Sequence, residues 1–432
     1  MSDVLIIGGG ITGLACAKFS KLPYKLFERE ATLGGLCRSV EVDGFTFDYS
    51  GHFVHLRNPQ IKELLSNLLG ANFTRIKRRS AIYTHKSWVP FPFQANLYYL
   101  PEDIKNECVK EFLRKPSLKK TKEFPDLLSW SVATFGRGIT KYFMQPYNEK
   151  LWTIKANKLS TQWVAPFVPN PSKNEIIQSA LTPKSKDFGY NVHFNYPQKG
   201  GCQYLIDCFS KKLGNIATGI SVKIVDLKAK TITDSNGKVH SYKYLISTQP
   251  LPELLKSIKG DYEKDANDLA KELKWSSVLC VNIGIKRSNP DKPFANAQHW
   301  VYFPENKYPF YRVGVYSNVT KNCAPDGCAA IYVELSRKPK TKIDKSKLLK
   351  EILAGLLDIG IITALDKIET LNFLDMPYAY VIYDWQRPVL LKKIDKLLNK
   401  NDVYSIGRYG AWKYSFIEES INDAKVLMES LE

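Results

Sequence analysis

Near the start of the chain, Gly8-Gly9-Gly10-Ile11-Thr12-Gly13 has the composition and spacing of a phosphate cradle, G-x-G-x-x-G. In such a turn Gly8 permits a tight reversal, Gly10 lets the backbone approach a pyrophosphate, and Gly13 lets a helix pack closely on a strand. The helix that opens at Ile11 and Thr12 offers free N–H groups and a partial positive charge to the phosphates. Glu28 follows at about the 20-residue spacing at which a carboxylate accepts the ribose hydroxyls. These residues point to dinucleotide binding. The plain alternative is a glycine-rich turn with no ligand and a surface glutamate.

The cradle needs a strand before it and a helix after it. Val4–Ile7 reads as a short buried strand, Ile11 to about Lys21 as a helix, and Tyr24–Glu28 as a second strand, a unit that belongs in a parallel sheet. A second glycine pair follows in Gly34-Gly35-Leu36-Cys37-Arg38-Ser39. It resembles the extension of FAD-containing amine-oxidase-like enzymes, which favours FAD over NAD. Its glycines let the chain run close to the second phosphate and ribityl chain, Leu36 lies in the same turn, and Arg38 adds a charge near the pyrophosphate or flavin; an ordinary loop is the alternative. Val222 sits where that group pairs backbone with adenine. Taken alone, it reads as a core valine.

Further along, Pro59–Leu69 has helical periodicity, and residues 80–190 are rich in aromatics and prolines with helical segments near 101–114 and 125–143. Strand patterns return at Val222–Leu227, Thr231–Thr233 and Leu245–Ser247, with an Asn236-Gly237 turn. Residues 275–286, 299–303, 310–316 and 329–335 read as strands, Lys347–Ile359 as an amphipathic helix, Val403–Ile406 as a late strand, and a last helix starts at about Glu418. The expected fold is α/β: a discontinuous Rossmann-like FAD-binding domain (1–78, 191–265 and 401–432), a mainly helical substrate lobe (79–190) and a mixed-sheet substrate lobe (266–400).

A length of 432 residues is too great for one growing core, which agrees with several lobes. The formal net charge of +19 raises the question of an anionic partner. The lysines are scattered in ones and twos, such as Lys119-Lys120, Lys211-Lys212 and Lys392-Lys393, with no basic helix or tail; nucleic acid is therefore not expected. Eight cysteines include no C-x-x-C pair, so no metal site is expected. The first apolar run is broken by glycines, and no stretch approaches about 18 apolar residues. A cytoplasmic protein without membrane insertion is the expectation.

Seven further segments resemble UDP-galactopyranose mutases, especially the eukaryotic-type branch and its bacterial protoporphyrinogen-oxidase-like relatives. They are Ser50-Gly51-His52, Trp88-Val89-Pro90-Phe91-Pro92-Phe93-Gln94, Phe143-Met144-Gln145-Pro146-Tyr147-Asn148, Lys199-Gly200-Gly201, Trp300-Val301-Tyr302-Phe303-Pro304-Glu305, Phe310-Tyr311-Arg312 and Gly407-Arg408-Tyr409-Gly410-Ala411-Trp412-Lys413-Tyr414. Their order and spacing match over nearly the whole chain.

The resemblance implies an isomerase that uses reduced FAD without net redox change. It interconverts pyranose and furanose forms of UDP-galactose or a related sugar for polysaccharide biosynthesis, through an adduct of the sugar with flavin N5, and NAD(P)H is a candidate reductant. It further implies that Arg312 grips the pyrophosphate, as a guanidinium fork can; a structural salt bridge is the alternative. Tyr302, Tyr380 and Tyr414 would contact the diphosphate, with Trp163 and Asn148 also at the substrate. His52 would face the flavin. Gly407 and Arg408 would approach the FAD phosphate or ribityl chain, and the backbone at Ser420 and Ile421 would cap the flavin pyrimidine. An amine-oxidase- or protoporphyrinogen-oxidase-like oxidoreductase is the competing expectation. Two departures matter: Phe167 stands where the eukaryotic-type branch has a second arginine, and Ser50 stands where it has the first glycine of Gly-Gly-His.

Overall fold

The computed structural model describes residues 3–115, 124–183, 188–189 and 191–431. The Lys119-Lys120 doublet lies outside them.

Val4–Ile7 is wholly buried, and a strand buried on both faces belongs inside a parallel sheet. It is the centre of a five-stranded parallel sheet ordered Val403–Ser405, Tyr244–Ser247, Val4–Ile7, Tyr24–Phe27, Ile216–Ala217. Three distant stretches of chain thus rebuild one sheet. Helix Ile11–Phe19 follows the cradle, and its Ile11, Leu14 and Ala15 share a core with Ile417, Ile421, Ala424 and Met428 of the last helix, Ile417–Ser430. Val222–Asp226, Thr231–Asp234 and Val239–Ser241 do not join this sheet; with Ile258–Lys259 they form a separate four-stranded one.

The second large layer is a seven-stranded mixed sheet ordered Lys367–Val381, Trp275–Lys286, Cys328–Arg337, Arg312–Val315, Trp300–Tyr302, Ser80–Thr84, Ser87–Pro90. Its last two strands come from the segment read as the start of the helical lobe, so that reading is corrected for residues 80–90. The hairpin turns at His85 and Lys86, both with positive φ, without the Asn-Gly signal that marks such turns in sequence. Its position is set by parallel pairing of Ser80–Thr84 with Trp300–Tyr302, more than two hundred residues away.

Lys367–Val381, the longest strand, shows no strand pattern in the sequence reading because it carries Pro377 and alternates irregularly. It lies on the sheet edge, where a missing N–H is tolerated, and its register against Trp275–Lys286 slips between Ser276 and Val278. The Pro377 carbonyl at that slip accepts from Trp275 Nε1 (2.9 Å) and Ser277 Oγ (2.7 Å).

The helical lobe packs Glu102–Arg114, Leu127–Ile139 and Lys173–Leu181 around Ile104, Cys108, Phe112, Phe135, Ile139 and Ile176. Helix Gln145–Trp152 leaves it toward the seven-stranded sheet. No helix among the described residues is long and apolar enough to cross a membrane.

Candidate functional site

A cavity of about 820 Å³ runs between the two large sheets and is lined by both. At one end lie Gly8, Glu28 and Thr248, which follow the carboxyl ends of three parallel strands, the usual ligand position in such sheets. The glycine turn is closely built: a Cβ on Gly13 would stand 1.9 Å from the Gly8 carbonyl oxygen. Helix Ile11–Phe19 has no side-chain cap, so its first N–H groups open onto the cavity where Ile11 and Thr12 line it.

Gly34 N donates to Gly9 O (2.8 Å), and Gly10 and Gly34 form a bridge, which brings the second glycine pair beside the first. The buried Glu28 carboxylate accepts from Gly9 N (2.6 Å) and Glu30 N (2.8 Å). Those bonds hold it at the cavity wall with lone pairs to spare for a diol. Gly35, Leu36, Arg38 and Val222 line the same half. Arg38 is anchored to Gly35 O (2.9 Å), lies 3.7 Å from Glu30 and covers the Tyr49 ring.

This half fits a dinucleotide: an uncapped helix start for phosphates, a pinned carboxylate for ribose, and backbone close enough to itself that any Cβ on Gly13 is excluded. Bound there, FAD would be held by the two glycine turns, Glu28 and Arg38, and would supply the redox-active ring to the other half.

The other half is built from the seven-stranded sheet and the loop after Phe45–Asp48. Here Ser50-Gly51-His52 makes a three-residue turn, His52 N donating to Ser50 O (3.0 Å). The buried His52 Nδ1 has no hydrogen-bond partner among the described residues and His52 lines the cavity, an orphaned polar atom suited to a ligand group. Burial pushes the imidazole down to about 4, the Arg408 and Arg312 charges adding to this and Glu334 opposing, so it is neutral near pH 7.

Arg312 and Glu334 sit opposite each other on adjacent strands. The guanidinium binds the carboxylate through Nε and Nη2, and Nη2 also donates to Ser50 Oγ (3.4 Å). Nη1 makes no hydrogen bond among the described residues. One edge of Arg312 is thus a salt bridge, and the residue also lines the cavity.

Arg408, also lining the cavity, donates to the carbonyls of Ser415 (2.8 Å) and Ala379 (3.1 Å), and lies over the rings of Tyr414 (4.8 Å) and Tyr380 (5.5 Å). Tyr147, Tyr302, Tyr311, Tyr380 and Tyr414 complete the wall. Burial raises the phenols of Tyr147, Tyr302 and Tyr414, which therefore remain hydrogen-bond donors.

Some expected residues stand elsewhere. Trp163 is buried behind the wall against Trp152 (5.0 Å), and Asn148 is engaged by Met144 O (2.6 Å) and Trp152 Nε1 (3.2 Å); both support the wall and do not line the cavity. Asn148 lies inward because Gln145–Trp152 turns that face to the core, and Trp163 packs on the Trp152 ring from outside that helix. Gly13 and Gly407 are packing positions, a Cβ on Gly407 meeting Thr12 Oγ1 at 2.5 Å. Ile421 buries its side chain in the last helix's core while Ser420 lines the cavity. Phe167 packs edge-on against Tyr414 (4.7 Å), so an apolar ring adjoins the half built from the seven-stranded sheet. Glu334, Tyr147 and Tyr311 were not singled out for the site from sequence. Glu334 had a signal: a lone carboxylate inside the apolar run 329–335.

The family described as NAD(P)-binding Rossmann-like domain matches residues 6–68. A solved structure of reduced UDP-galactopyranose mutase is 29% identical and superposes with a TM-score of 0.93, covering 100% of this chain and 95% of that one. Two curated relatives are more distant. A Dictyostelium discoideum protein described as "Probable flavin-containing monoamine oxidase A" is 23% identical over 57% of this chain and 57% of its own length. Protoporphyrinogen oxidase 2, chloroplastic/mitochondrial, of Arabidopsis thaliana is 24% identical over 52% and 50%. The chain spans about half the length of the curated relatives it matches. Its structure closely matches the UDP-galactopyranose mutase fold, with a Rossmann-like dinucleotide-binding domain at its start.

Proposed function

We propose that this chain, with the fold of UDP-galactopyranose mutase, is a flavin-dependent sugar mutase that interconverts pyranose and furanose forms of a nucleotide-activated sugar without net redox change. The observation that carries the reading is the end-to-end agreement with the reduced mutase, at a TM-score of 0.93 and 29% identity. The site's chemistry is compatible. Reduced FAD, when bound, supplies the nucleophilic centre for such a reaction.

The residues of this chain bind and orient. Arg312 Nη1 and the Arg408 guanidinium offer positive charge to a departing phosphate, and the hydroxyls of Tyr302, Tyr380 and Tyr414 donate hydrogen bonds to its oxygens. His52 is neutral and can accept or donate one hydrogen bond beside the reactive ring. The tyrosine rings exclude water from the reacting carbon. A reductant such as NAD(P)H would prime the enzyme.

A second reading, net oxidation of an amine or porphyrinogen-like donor, draws on the curated relatives and on Phe167, an apolar ring beside Tyr414 that cannot neutralise a phosphate. Anaerobic turnover decides between them. Dithionite-reduced and oxidised enzyme are given UDP-galactofuranose, then other nucleotide sugars, and products are separated by chromatography. Isomerisation by the reduced form alone, without stoichiometric flavin oxidation, is expected. Inert sugars together with flavin reduction by an amine or porphyrinogen would replace the mutase reading with the oxidase one.

A further inference from the structure

Within the Ser50-Gly51-His52 turn, the Ser50 side chain reaches across to the Arg312–Glu334 pair. The φ of Ser50 is +87°, a conformation that glycine adopts freely and an L-residue with a Cβ does not. A serine held there costs backbone energy, and such strain persists where the surroundings over-determine it. The surroundings here are specific. Ser50 Oγ donates to Glu334 Oε1 and accepts from Arg312 Nη2 at 3.4 Å, and both Ser50 and Glu334 are buried. Glu334 in turn takes Nε and Nη2 of Arg312, leaving Nη1 free of any bond among the described residues.

The turn cannot shift to relieve the strain. A Cβ on Gly51 would stand 2.2 Å from the Tyr332 hydroxyl, so the backbone already lies against that ring, and the His52 carbonyl is held by Cys202 Sγ at 3.3 Å. The turn that presents His52 to the flavin half and the cation that faces the substrate half are therefore joined by one hydroxyl.

We propose that Ser50 is a positioning residue, whose hydroxyl, kept in a left-handed backbone conformation, fixes the Glu334–Arg312 pair so that Arg312 meets the phosphate of the substrate. The inference rests on the nucleotide-sugar reading of the site. Its physical content is that Glu334 Oε1 has two partners, Ser50 Oγ and Arg312 Nη2; without the hydroxyl only Arg312 holds it, and the pair can turn so that Nη1 leaves the cavity.

The test is a double-mutant cycle on the FAD-loaded protein, read as UDP affinity by the flavin difference spectrum. Ser50→Gly suits the local φ, so the variant keeps its fold and its flavin. Losing one charge-assisted hydrogen bond in the chain to Arg312 is expected to weaken UDP binding by about tenfold. Arg312→Ala weakens it more, and Ser50→Gly adds nothing further in the Arg312→Ala background, because Ser50 acts through that side chain. Ser50→Ala, which keeps the strain and lacks the hydroxyl, should match Ser50→Gly in affinity while melting at a lower temperature than it.

Flavin occupancy and the oxidised flavin spectrum are followed as controls a merely structural role would move. Wild-type-like UDP affinity in Ser50→Gly, or an effect that adds fully to that of Arg312→Ala, would overturn the proposal alone. Wild-type protein that binds no UDP would overturn the nucleotide reading, and this inference with it.

Discussion

Replacing Gly13 by alanine tests the cofactor half most directly. The added Cβ would lie 1.9 Å from the Gly8 carbonyl oxygen and 3.1 Å from its carbonyl carbon. Nonbonded heavy atoms settle at about 3.5 Å, so helix start and turn must separate by more than about 1 Å. No flexible side chain can yield, because both partners are backbone. The turn is itself tied down, Gly8 N to Phe27 O (2.8 Å) and the Gly8 carbonyl to Thr248 Oγ1 (3.3 Å). Overpacking of this kind costs about 1–3 kcal/mol, and the rigid backbone places it toward the upper end. As the helix start retreats from the phosphates, every charge-assisted hydrogen bond that breaks weakens flavin binding by about tenfold. The assay is FAD content of the purified protein from its absorbance ratio, with melting temperature measured with and without added FAD. Gly214→Ala is the matched control, since a Cβ there meets nothing within 4 Å. A Gly13→Ala protein with full flavin and a melting temperature within about 2 °C of wild type would falsify the close-packed cradle.

Glu28→Ala leaves Gly9 N and Glu30 N without their acceptor and removes the ribose partner, so purified protein should carry little FAD while Glu41→Ala, at an exposed position off the cavity, keeps it. Phe167→Arg puts a cation beside Tyr414; on the nucleotide reading UDP should bind about tenfold tighter, measured calorimetrically, and unchanged affinity would remove that position from the phosphate site. The native His52 takes up its proton only near pH 4, against about 6.5 when unfolded, so its contribution to stability is present above pH 6.5 and is lost as pH falls toward 4. The loss is on the order of 3 kcal/mol, and denaturant titrations across that window should show a shallower decline for His52→Asn. His55 and His299, also pushed down to about 4 by burial, keep the variant's curve from becoming flat.

Local physics made part of this protein legible without coordinates. A glycine turn between an apolar strand and a helix can be read from neighbouring residues, because its conformation depends on positions a few places apart; strand Val4–Ile7, helix Pro59–Leu69 and the Asn236-Gly237 turn agree with their reading for that reason. Glu28 was legible through spacing alone. Motif order along the chain pointed to the fold that the superposition bears out.

The rest was decided by pairings between residues hundreds of positions apart. Ser80–Thr84 is a strand of the seven-stranded sheet because Trp300–Tyr302 lies beside it, and Lys367–Val381 keeps Pro377 because it is an edge. Trp163 and Asn148, expected at the substrate, are turned inward by packing, where Trp152 takes them up. Glu334 was visible in sequence as a charge in an apolar run, but its partner was not: only antiparallel register sets it opposite Arg312, and only the folded loop brings Ser50 to both. Sequence spacing specifies what a short segment can become; burial and register, which sum over the whole chain, choose which polar groups must face one another.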